Sequence, residues 1–308
     1  MASRAGGLPN EDGIASFHNA IRAFGLEPPN AIVPGRLYRF PGVGKRQSNR
    51  AGWCRLFPDG SGGCFGDWSS GLSQTWQTQR LTPLSHAERE RFQHRIAEAK
   101  AQAQKQHRKT WEAAATRAGK IWASAGRVDP NHPYLHRKGI RLNTEIRVRQ
   151  RGRPLVLPVT DFTGKLTSLQ FIAPDGGKRL LSGGRKRGCF IHVHGDALKP
   201  AKVILCEGWA TGCTLAEDEP AALVLAAIDA GNLEPVTIGT RHRWPSTELI
   251  VAGDDDRLTP GNPGATNARK AAIAAQALLA LPRWPAGAPY HLTDFNDLVQ
   301  WQRGRFHE

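Results

Sequence analysis

The stretch Val203-Ile-Leu-Cys-Glu-Gly208 joins a short apolar run to an acidic residue and a glycine. The apolar run is typical of a buried strand, the glycine allows a tight turn, and the segment from Trp209 to Glu217 predicts a helix. Apolar runs at 222–228 and 248–252 predict two further buried strands. Strands that alternate with helices pair in parallel, so this pattern predicts an α/β fold with a doubly wound sheet.

The end of the chain continues the same α/β pattern. The alanine-rich segment 265–281 predicts a helix that Pro282 ends. A fourth short strand is expected at Pro289–Leu292. Residues 201–308 are therefore predicted to form one domain, in which helices cover both faces of a parallel sheet.

Acidic residues follow three of these predicted strands. Glu207 follows the first, Asp254-Asp-Asp256 follows the third, and Asp294 follows the expected fourth. Ligands of an open parallel sheet bind outside the carboxyl ends of its strands, where these side chains would meet. Alternation along an extended chain predicts that Asp254 and Asp256 point the same way and that Asp255 points aside.

This acidic cluster predicts a metal site. Converging carboxylates repel one another strongly unless a divalent cation lies between them. A set of oxygen ligands, without clustered His or Cys, favours Mg²⁺ or Mn²⁺ over zinc. The alternative is that the acids only cap helices, which is common at strand-to-helix turns. Because acids follow three strands rather than one, we favour the metal site.

The first 200 residues predict smaller α+β parts around a helical connector. Residues 1–80 are rich in Gly, Pro, Trp and Arg, which indicates a small domain of short strands after a helix near Gly13–Gly25. Ser85-His-Ala-Glu88 is typical of a capping box and begins a helical pattern, so residues 81–126 are predicted to be a long connecting helix. Residues 127–200 combine strand patterns with basic turns.

Charge divides the chain unevenly. The 42 Lys and Arg residues against 27 Asp and Glu residues give a net charge of +15, with +19 over residues 1–200 and −4 over residues 201–308. An excess this large attracts polyanions at long range, and nucleic acid is the first candidate partner. The alternative is that the charges only form solvated surfaces.

Other features bear on location and on zinc. The N-terminus has no apolar core segment and no window predicts a membrane span, so neither a secretory signal nor a membrane partner is expected. Five cysteines, odd in number and widely spaced, fit a reducing compartment, and the cytoplasm is the expected location. Cys54 and Cys64 have no CxxC or HxxxH partner, so no zinc site is expected.

The order of the C-terminal motifs resembles the TOPRIM domain of bacterial primases, topoisomerases and related nucleases: a strand with Glu-Gly, a second strand, then a third strand with Asp-x-Asp. The residues within and around these motifs are similar to those of the TOPRIM primases of plasmids, conjugative elements and phages. The segments that carry this resemblance are Cys206–Leu215, Ile228-Asp-Ala-Gly-Asn-Leu233, Val251–Arg257 and Asp294-Phe-Asn-Asp-Leu298, with Gly63–Trp68, His132–Gly139 and Leu169–Arg179 upstream.

The resemblance implies roles for individual residues. Glu207 matches the TOPRIM glutamate, a general acid/base, and Asp254 and Asp256 match the metal-binding pair. Asp294 and Glu207 complete the implied metal ligands, with Asp297 nearby. The residues expected to face the template or the incoming nucleotide are Arg137, Lys138, Lys178, Arg179, Arg185, Lys186 and Arg187.

The resemblance thus implies a DNA primase that synthesises short RNA primers by metal-dependent nucleotidyl transfer, for plasmid, conjugative-element or phage replication. Its implied partners are single-stranded DNA, ribonucleoside triphosphates and a replicative helicase or replication initiator. The rivals are a TOPRIM nuclease and a catalytically silent nucleic-acid-binding module. A topoisomerase is disfavoured, because the nucleophilic tyrosine it needs has only Tyr38, Tyr134 and Tyr290 as candidates.

A glycine-containing segment and a group of aromatic residues in 1–80 also bear on this function. Gly42-Val-Gly-Lys45 lacks the glycine spacing and the Ser or Thr of a helicase P-loop, so no helicase activity is expected. The aromatic residues Trp53, Phe65 and Trp68 either stack on bases or form the core of the first domain.

Overall fold

The computed structural model describes residues 11–78, 85–142 and 148–304. The chain divides into two units, Met1–Lys109 and Thr110–Glu308. Within the described residues the helices are α1 (Glu11–Arg22), α2 (His86–Ser124), α3 (Pro133–Lys138), α4 (Trp209–Asp218), α5 (Ala230–Arg243), α6 (Pro263–Ala274) and α7 (Phe295–Gln302). The strands are β1 (Leu37–Phe40), β2 (Gly52–Leu56), β3 (Gly62–Asp67), β4 (Leu72–Gln77), β5 (Arg149–Gln150), β6 (Leu155–Thr160), β7 (Leu166–Ile172), β8 (Lys178–Leu180), β9 (Ile191–His194), β10 (Lys202–Cys206), β11 (Leu223–Ala226), β12 (Glu248–Ala252) and β13 (Leu278–Ala280).

Four antiparallel strands, in the order β1-β2-β3-β4, form the sheet of the first unit. Helix α1 packs on it through Phe17 and Ile21, which share a buried cluster with Phe65 of β3. Strand β3 is buried along its whole length, and its glycines let neighbouring groups approach closely. A Cβ added at Gly66 would lie 2.2 Å from the carbonyl oxygen of Leu72, so no larger residue fits there.

Aromatic side chains of the first unit lie inside it. Trp53 and Phe65 are each 1% exposed, and the rings of Trp53 and Trp68 stack with centroids 5.6 Å apart. Trp68 also stacks on His107 of α2 at 4.4 Å. Of the two alternatives drawn from the sequence, Trp53 and Phe65 therefore follow the one in which the aromatic residues form the core.

Helix α2 is uninterrupted over 39 residues. Just before it, the backbone N–H of Ser85 donates to the Glu88 carboxylate at 2.9 Å, and the backbone N–H of Glu88 donates to Ser85 Oγ at 3.3 Å. This reciprocal pair is the predicted capping box. The division of residues 1–200 into a small domain, a connector and a basic β-containing part stays a prediction.

Two sheets form the second unit. The smaller is antiparallel, in the order β5-β6-β7-β8, and the larger has the order β13-β12-β10-β11-β9. In the larger sheet β10 pairs in parallel with β11 and β12, and β13 pairs in parallel with β12. Strand β9 pairs antiparallel with β11 and forms one edge. The predicted parallel sheet is thus confirmed, with one antiparallel strand that comes from before residue 201.

Helices cover both faces of the larger sheet. Successive residues of β10 point to opposite faces, so Ile204 and Leu205 belong to different buried clusters. Ile204 shares its cluster with Trp209 of α4. Leu205 shares the other cluster with Leu233 of α5 and Ala268 of α6. The α/β class predicted for this region is confirmed.

The helix predicted over 265–281 is too long. Helix α6 ends at Ala274, and residues 278–280 form β13, which pairs with β12. Gln276, with a φ of 50°, lies in the turn between them. Sheet pairing has overridden the helix propensity of this alanine-rich segment.

The strand expected at 289–292 is absent from the described residues, and β13 is the fourth parallel strand instead. The carbonyl oxygens of Pro289 and Leu292 accept hydrogen bonds from the Arg257 guanidinium, at 2.7 and 3.2 Å. Proline has no N–H for a strand ladder, which also disfavours a strand there.

The described helices and cysteines bear on two further expectations. No described helix is long and apolar enough to cross a membrane. All five cysteines are buried free thiols.

Candidate active site

Glu207 is the first residue after β10, at the carboxyl edge of the larger sheet. Its carboxylate accepts a hydrogen bond from the backbone N–H of Ala230, at the start of α5. The pKa of Glu207 is raised to about 7, first by burial and then by the charges of Asp229 and Asp256, against the lowering effect of Lys178. A carboxyl group with this pKa can exchange a proton near neutral pH.

Asp254 lies two residues beyond β12. Its Oδ1 is buried and has no hydrogen-bond partner among the described residues. The pKa of Asp254 is raised to about 8, first by burial and then by Glu207, Asp294 and Asp256. A buried carboxylate oxygen without a partner is costly, so this position favours a proton or a bound cation.

Asp256 lies against the start of α6. Its Oδ2 accepts a hydrogen bond from the backbone N–H of Gly264 at 2.9 Å. A Cβ at Gly264 would lie 2.7 Å from the backbone oxygen of Asp254, so only glycine allows this approach. Asp256 raises the pKa of both Glu207 and Asp254, which places its carboxylate in the same cluster.

Asp294 caps α7 and also faces the cluster. Its Oδ1 accepts from the backbone N–H of Asp297 at 2.8 Å, and its Oδ2 accepts from Thr211 Oγ1 of α4 at 3.2 Å. Burial raises the pKa of Asp294, Asp297 raises it further, and Lys138 opposes the shift. Capping and membership of the acidic cluster, which the sequence presents as alternatives, thus occur together in one residue.

Asp297 is neutralised by a lysine. Its Oδ1 lies 2.9 Å from Lys138 Nζ, and its Oδ2 accepts from the backbone N–H of Thr293 at 3.1 Å. The position of Lys138 beside Asp297 brings one of the predicted basic residues to the rim of the cluster.

Asp229, which follows β11, is a site residue that the sequence prediction omitted. It raises the pKa of Glu207, and its Oδ2 lies 2.5 Å from Lys186 Nζ. Every one of the strands β10, β11 and β12 is therefore followed by an acid of the same cluster. The signal was present, because Asp229 lies in the segment Ile228–Leu233 that carries part of the family resemblance.

Lys178 of β8 is the predicted basic residue that acts most directly on the carboxylates. It lowers the pKa of both Glu207 and Asp254. A Cβ added at Gly208, the residue after Glu207, would lie 3.7 Å from Lys178 Nζ. The ammonium group therefore lies close to Gly208 and to the carboxylates of the cluster.

Most of the other predicted basic residues contact groups of the protein itself. Arg187 is exposed and forms no ion pair with a described residue. The observed partners are Asp161 for Arg185, the Phe171 ring at 4.2 Å for Arg179, and the Tyr134 ring at 5.6 Å for Arg137. The structure thus brings Lys138, Lys178 and Lys186 to the acidic cluster, whereas these arginines have other neighbours.

The donor set fits a hard divalent cation. Asp254, Asp256, Asp294 and Glu207 offer oxygen atoms only, and one buried oxygen of Asp254 lacks a described partner. No three His, Cys, Asp or Glu side chains in the described ranges are placed to hold a metal ion by themselves. Mg²⁺ usually takes one or two carboxylates and completes its shell with water and substrate phosphates. The arrangement fits an ion of that kind.

Residues 202–305 match the family model described as Toprim domain. They contain the glutamate after the first parallel strand and the Asp-x-Asp after the third, at the places expected from the sequence. The C-terminal region of the chain therefore matches the Toprim domain, and the predicted resemblance is confirmed for that region.

Two proteins similar to this chain over most of its length are DNA primases. The chain is 34% identical over 295 residues to the DNA primase TraC of Escherichia coli, a match that covers 92% of this chain and 20% of that protein. A second DNA primase TraC of Escherichia coli is 32% identical over 269 residues, or 84% of this chain and 25% of that protein. The chain thus spans a fifth to a quarter of the length of these relatives.

Solved structures of primases are more distant. The primase fragment of the bacteriophage T7 primase-helicase protein is 13% identical, with a TM-score of 0.32 and coverage of 87% of this chain and 95% of that chain. The DnaG primase catalytic domain bound to single-stranded DNA is 17% identical, with a TM-score of 0.34 and coverage of 63% and 60%.

Proposed function

We propose that this chain is a DNA primase, which joins ribonucleotides into a short primer on single-stranded DNA during plasmid, conjugative-element or phage replication. The observation that carries the proposal is the cluster of half-buried carboxylates at the carboxyl ends of β10 and β12, with raised pKa values for Glu207 and Asp254. Its support is the similarity to DNA primases along most of the chain.

Asp254 and Asp256 would hold a Mg²⁺ or Mn²⁺ ion, with Asp294 and Glu207 beside it. When bound, such an ion neutralises the charge of the triphosphate. The Oδ1 of Asp254 is buried and has no hydrogen-bond partner among the described residues, so a bound cation would stabilise it.

Glu207 is the proposed general acid/base. Its carboxylate is oriented by the backbone N–H of Ala230. Its pKa is about 7 without metal, and a nearby cation would favour the ionised form that a general base needs. In this proposal one oxygen of Glu207 accepts the proton of the attacking 3′-hydroxyl, whose oxygen bonds to the α-phosphorus of the incoming triphosphate while pyrophosphate leaves.

Lys178 is assigned to the incoming triphosphate, since its charge acts on both Glu207 and Asp254 and it forms no ion pair with a described carboxylate. The basic segment 127–187, including Arg137, Arg179 and Arg187, is assigned to the template. Contacts to phosphate oxygens position a strand without reading its sequence, which suits a primase that must use many templates.

The test supplies labelled ribonucleotides, single-stranded DNA and Mg²⁺ to the full chain. We expect primers and an intact template, and we expect Asp256→Asn to abolish synthesis. Asp196→Asn, in an exposed loop, is the matched control. Nicked template without incorporation would indicate the nuclease instead, and DNA binding without either reaction would indicate a silent binding module.

The protein partner that this function implies is a replicative helicase or a replication initiator. The location that it implies is the cytoplasm, where such templates are replicated. Co-purification with candidate replication proteins from cells that carry the element tests the first point.

A further inference from the structure

Asp255, the middle residue of the acidic triplet, points away from the cluster and binds two later segments of the chain. Its Oδ1 accepts a hydrogen bond from Asn262 Nδ2 at 2.6 Å, and its Oδ2 accepts from Trp284 Nε1 at 2.9 Å. Its backbone N–H donates to the carbonyl oxygen of Thr293 at 2.7 Å. Three hydrogen bonds from one residue thus fasten both segments to the end of β12.

Each of these segments, one at Asn262 and one from Trp284 to Thr293, is connected to a carboxylate of the cluster. Asn262 is the N-cap of α6, and its Oδ1 accepts from the backbone N–H of Asp256 at 2.9 Å. Thr293 directly precedes Asp294. The positions of Asp256 and Asp294 therefore both depend on bonds made by Asp255.

Arg257 strengthens the same attachment. Its guanidinium lies over the Trp284 ring at 4.4 Å and donates to the carbonyl oxygens of Pro289 and Leu292. Its Nε lies 3.9 Å from the Asp255 carboxylate. The segment that leads into α7 is thus held by a charged side chain as well as by Asp255.

We propose that Asp255 is a positioning residue for the divalent metal. Its side chain, through Asn262 and Trp284, and its backbone N–H, through Thr293, hold the segments that place Asp256 and Asp294. The like charges of the cluster repel one another, so carboxylates need an attachment outside the cluster to stay close before an ion arrives. Partners that orient metal ligands typically change metal affinity by about 10–100-fold when they are removed. This inference rests on the proposed function for the assignment of the ligands.

Binding of Mn²⁺ alone to the full chain, followed by electron paramagnetic resonance, tests the inference. Trp284→Phe removes the N–H that Asp255 accepts and keeps an aromatic ring under Arg257, and we expect it to raise the Mn²⁺ dissociation constant about tenfold. Asp255→Asn should raise it at least as much. Trp244→Phe is the matched control, since Trp244 Nε1 has no hydrogen-bond partner among the described residues, and it should bind Mn²⁺ like the wild type.

Two further measurements separate positioning from a merely structural role. In the metal-free protein, hydrogen exchange in residues 284–297 should be faster in Trp284→Phe than in Trp244→Phe. In the primer assay, the metal concentration for half-maximal activity should rise in Trp284→Phe, while activity at saturating Mn²⁺ returns to the wild-type value. A lower unfolding temperature with unchanged Mn²⁺ affinity would overturn the inference.

The outcomes also distinguish this inference from the proposed function. If the wild type binds Mn²⁺ but makes no primer, the proposed primase function is wrong. The positioning role is still supported in that case if Trp284→Phe binds Mn²⁺ more weakly than the wild type. Equal affinity of the wild type and Trp284→Phe, or no Mn²⁺ binding by the wild type, refutes the positioning role.

Discussion

At neutral pH the metal-free acidic cluster lies between two protonation states, because the pKa of Glu207 is about 7 and that of Asp254 is about 8. Burial is the larger cause for both groups, and the charges of neighbouring carboxylates add to it. A nearby cation favours the ionised forms and lowers these pKa values. Loading with metal is therefore coupled to proton release at individual residues.

Glu207→Gln should lose primer synthesis by about a hundredfold or more, since proton transfer by a positioned side chain contributes about 10²–10⁴-fold. Glutamine keeps the size and an acceptor oxygen but cannot exchange a proton. Binding of single-stranded DNA, measured by fluorescence anisotropy, should remain near the wild-type value. Wild-type synthesis by this variant would exclude Glu207 as the general acid/base.

Asp254→Asn should stabilise the metal-free chain at pH 8. The folded-state pKa of about 8 exceeds the unfolded value of about 3.9, so the native state binds more protons between them and wild-type stability falls as the pH rises through that window. Asparagine removes this loss, which these two pKa values put at no more than about 5 kcal/mol at pH 8 and near zero at pH 4. Urea unfolding in EDTA measures it.

The exposed Asp196→Asn serves as the control for this experiment and should leave the pH dependence unchanged. A stabilisation by Asp254→Asn that is the same at pH 4 and pH 8 would show that its cause is not the charge of Asp254.

The acids themselves could be predicted from the sequence, because alternation and the ends of parallel strands place Glu207, Asp254 and Asp256 at one edge. Their catalytic roles stay predictions. The bonds of Asp255 could not be predicted, since Trp284 is 29 positions away and reaches it only through the fold of the intervening α6 and β13.

Among the elements, the start of α2, which local chemistry fixes, was predicted from the sequence, whereas β13, which distant pairing fixes, was not. The capping box at Ser85 depends on residues three apart, so the start of α2 follows from sequence. Strand β13 depends on β12, whose residues lie 28 positions earlier in the register Ile250 with Leu278. Local propensity therefore predicted a helix where the sheet imposes a strand.

His107 should make the first unit sensitive to acid through helix α2. Its pKa is lowered to about 4, first by burial and then by the charge of Arg39. Between pH 4 and 6.5 the unfolded chain binds more protons than the native chain, so stability falls as the pH falls, by at most about 1.4 kcal/mol per pH unit. His107→Phe keeps a ring on Trp68 and should reduce this loss.

Scanning calorimetry between pH 4 and 7 measures the effect of His107→Phe. His94→Phe, at an exposed position of α2, should keep the wild-type dependence on pH. The same dependence in both variants would mean that His107 is not the group responsible.

Across the whole molecule, net charge is divided along the sequence: residues 1–200 carry +19 and residues 201–308 carry −4. Residues 1–200 therefore suit a polyanion, whereas the carboxylates of the acidic cluster lie in residues 201–308. Long-range attraction by residues 1–200 would concentrate nucleic acid around the chain, whereas the acidic cluster alone would repel it without cations. Net charge was evident from the sequence, whereas the pairing of Arg185 with Asp161 and of Lys186 with Asp229 required the structure.

Affinity of the full chain for single-stranded DNA should fall linearly with salt on logarithmic axes, with a slope of about −0.7 per phosphate contacted. Arg187→Gln should weaken binding and make the slope less steep by about 0.7, since this exposed residue is assigned to the template. Arg269→Gln, on the exposed side of α6 in the acidic region, is the control and should change neither. Equal effects of the two variants would contradict the assignment.

Strand β9 has a consequence for protein engineering. The family match begins at residue 202, yet the sheet is completed by Ile191–His194, which pair with β11. A fragment cut at the family boundary would leave the edge of β11 open, and an open apolar edge promotes intermolecular pairing. We expect a fragment of residues 202–304 to aggregate more than one of residues 185–304 when both are compared by light scattering. Transfer of the Toprim region into another protein should therefore include strand β9.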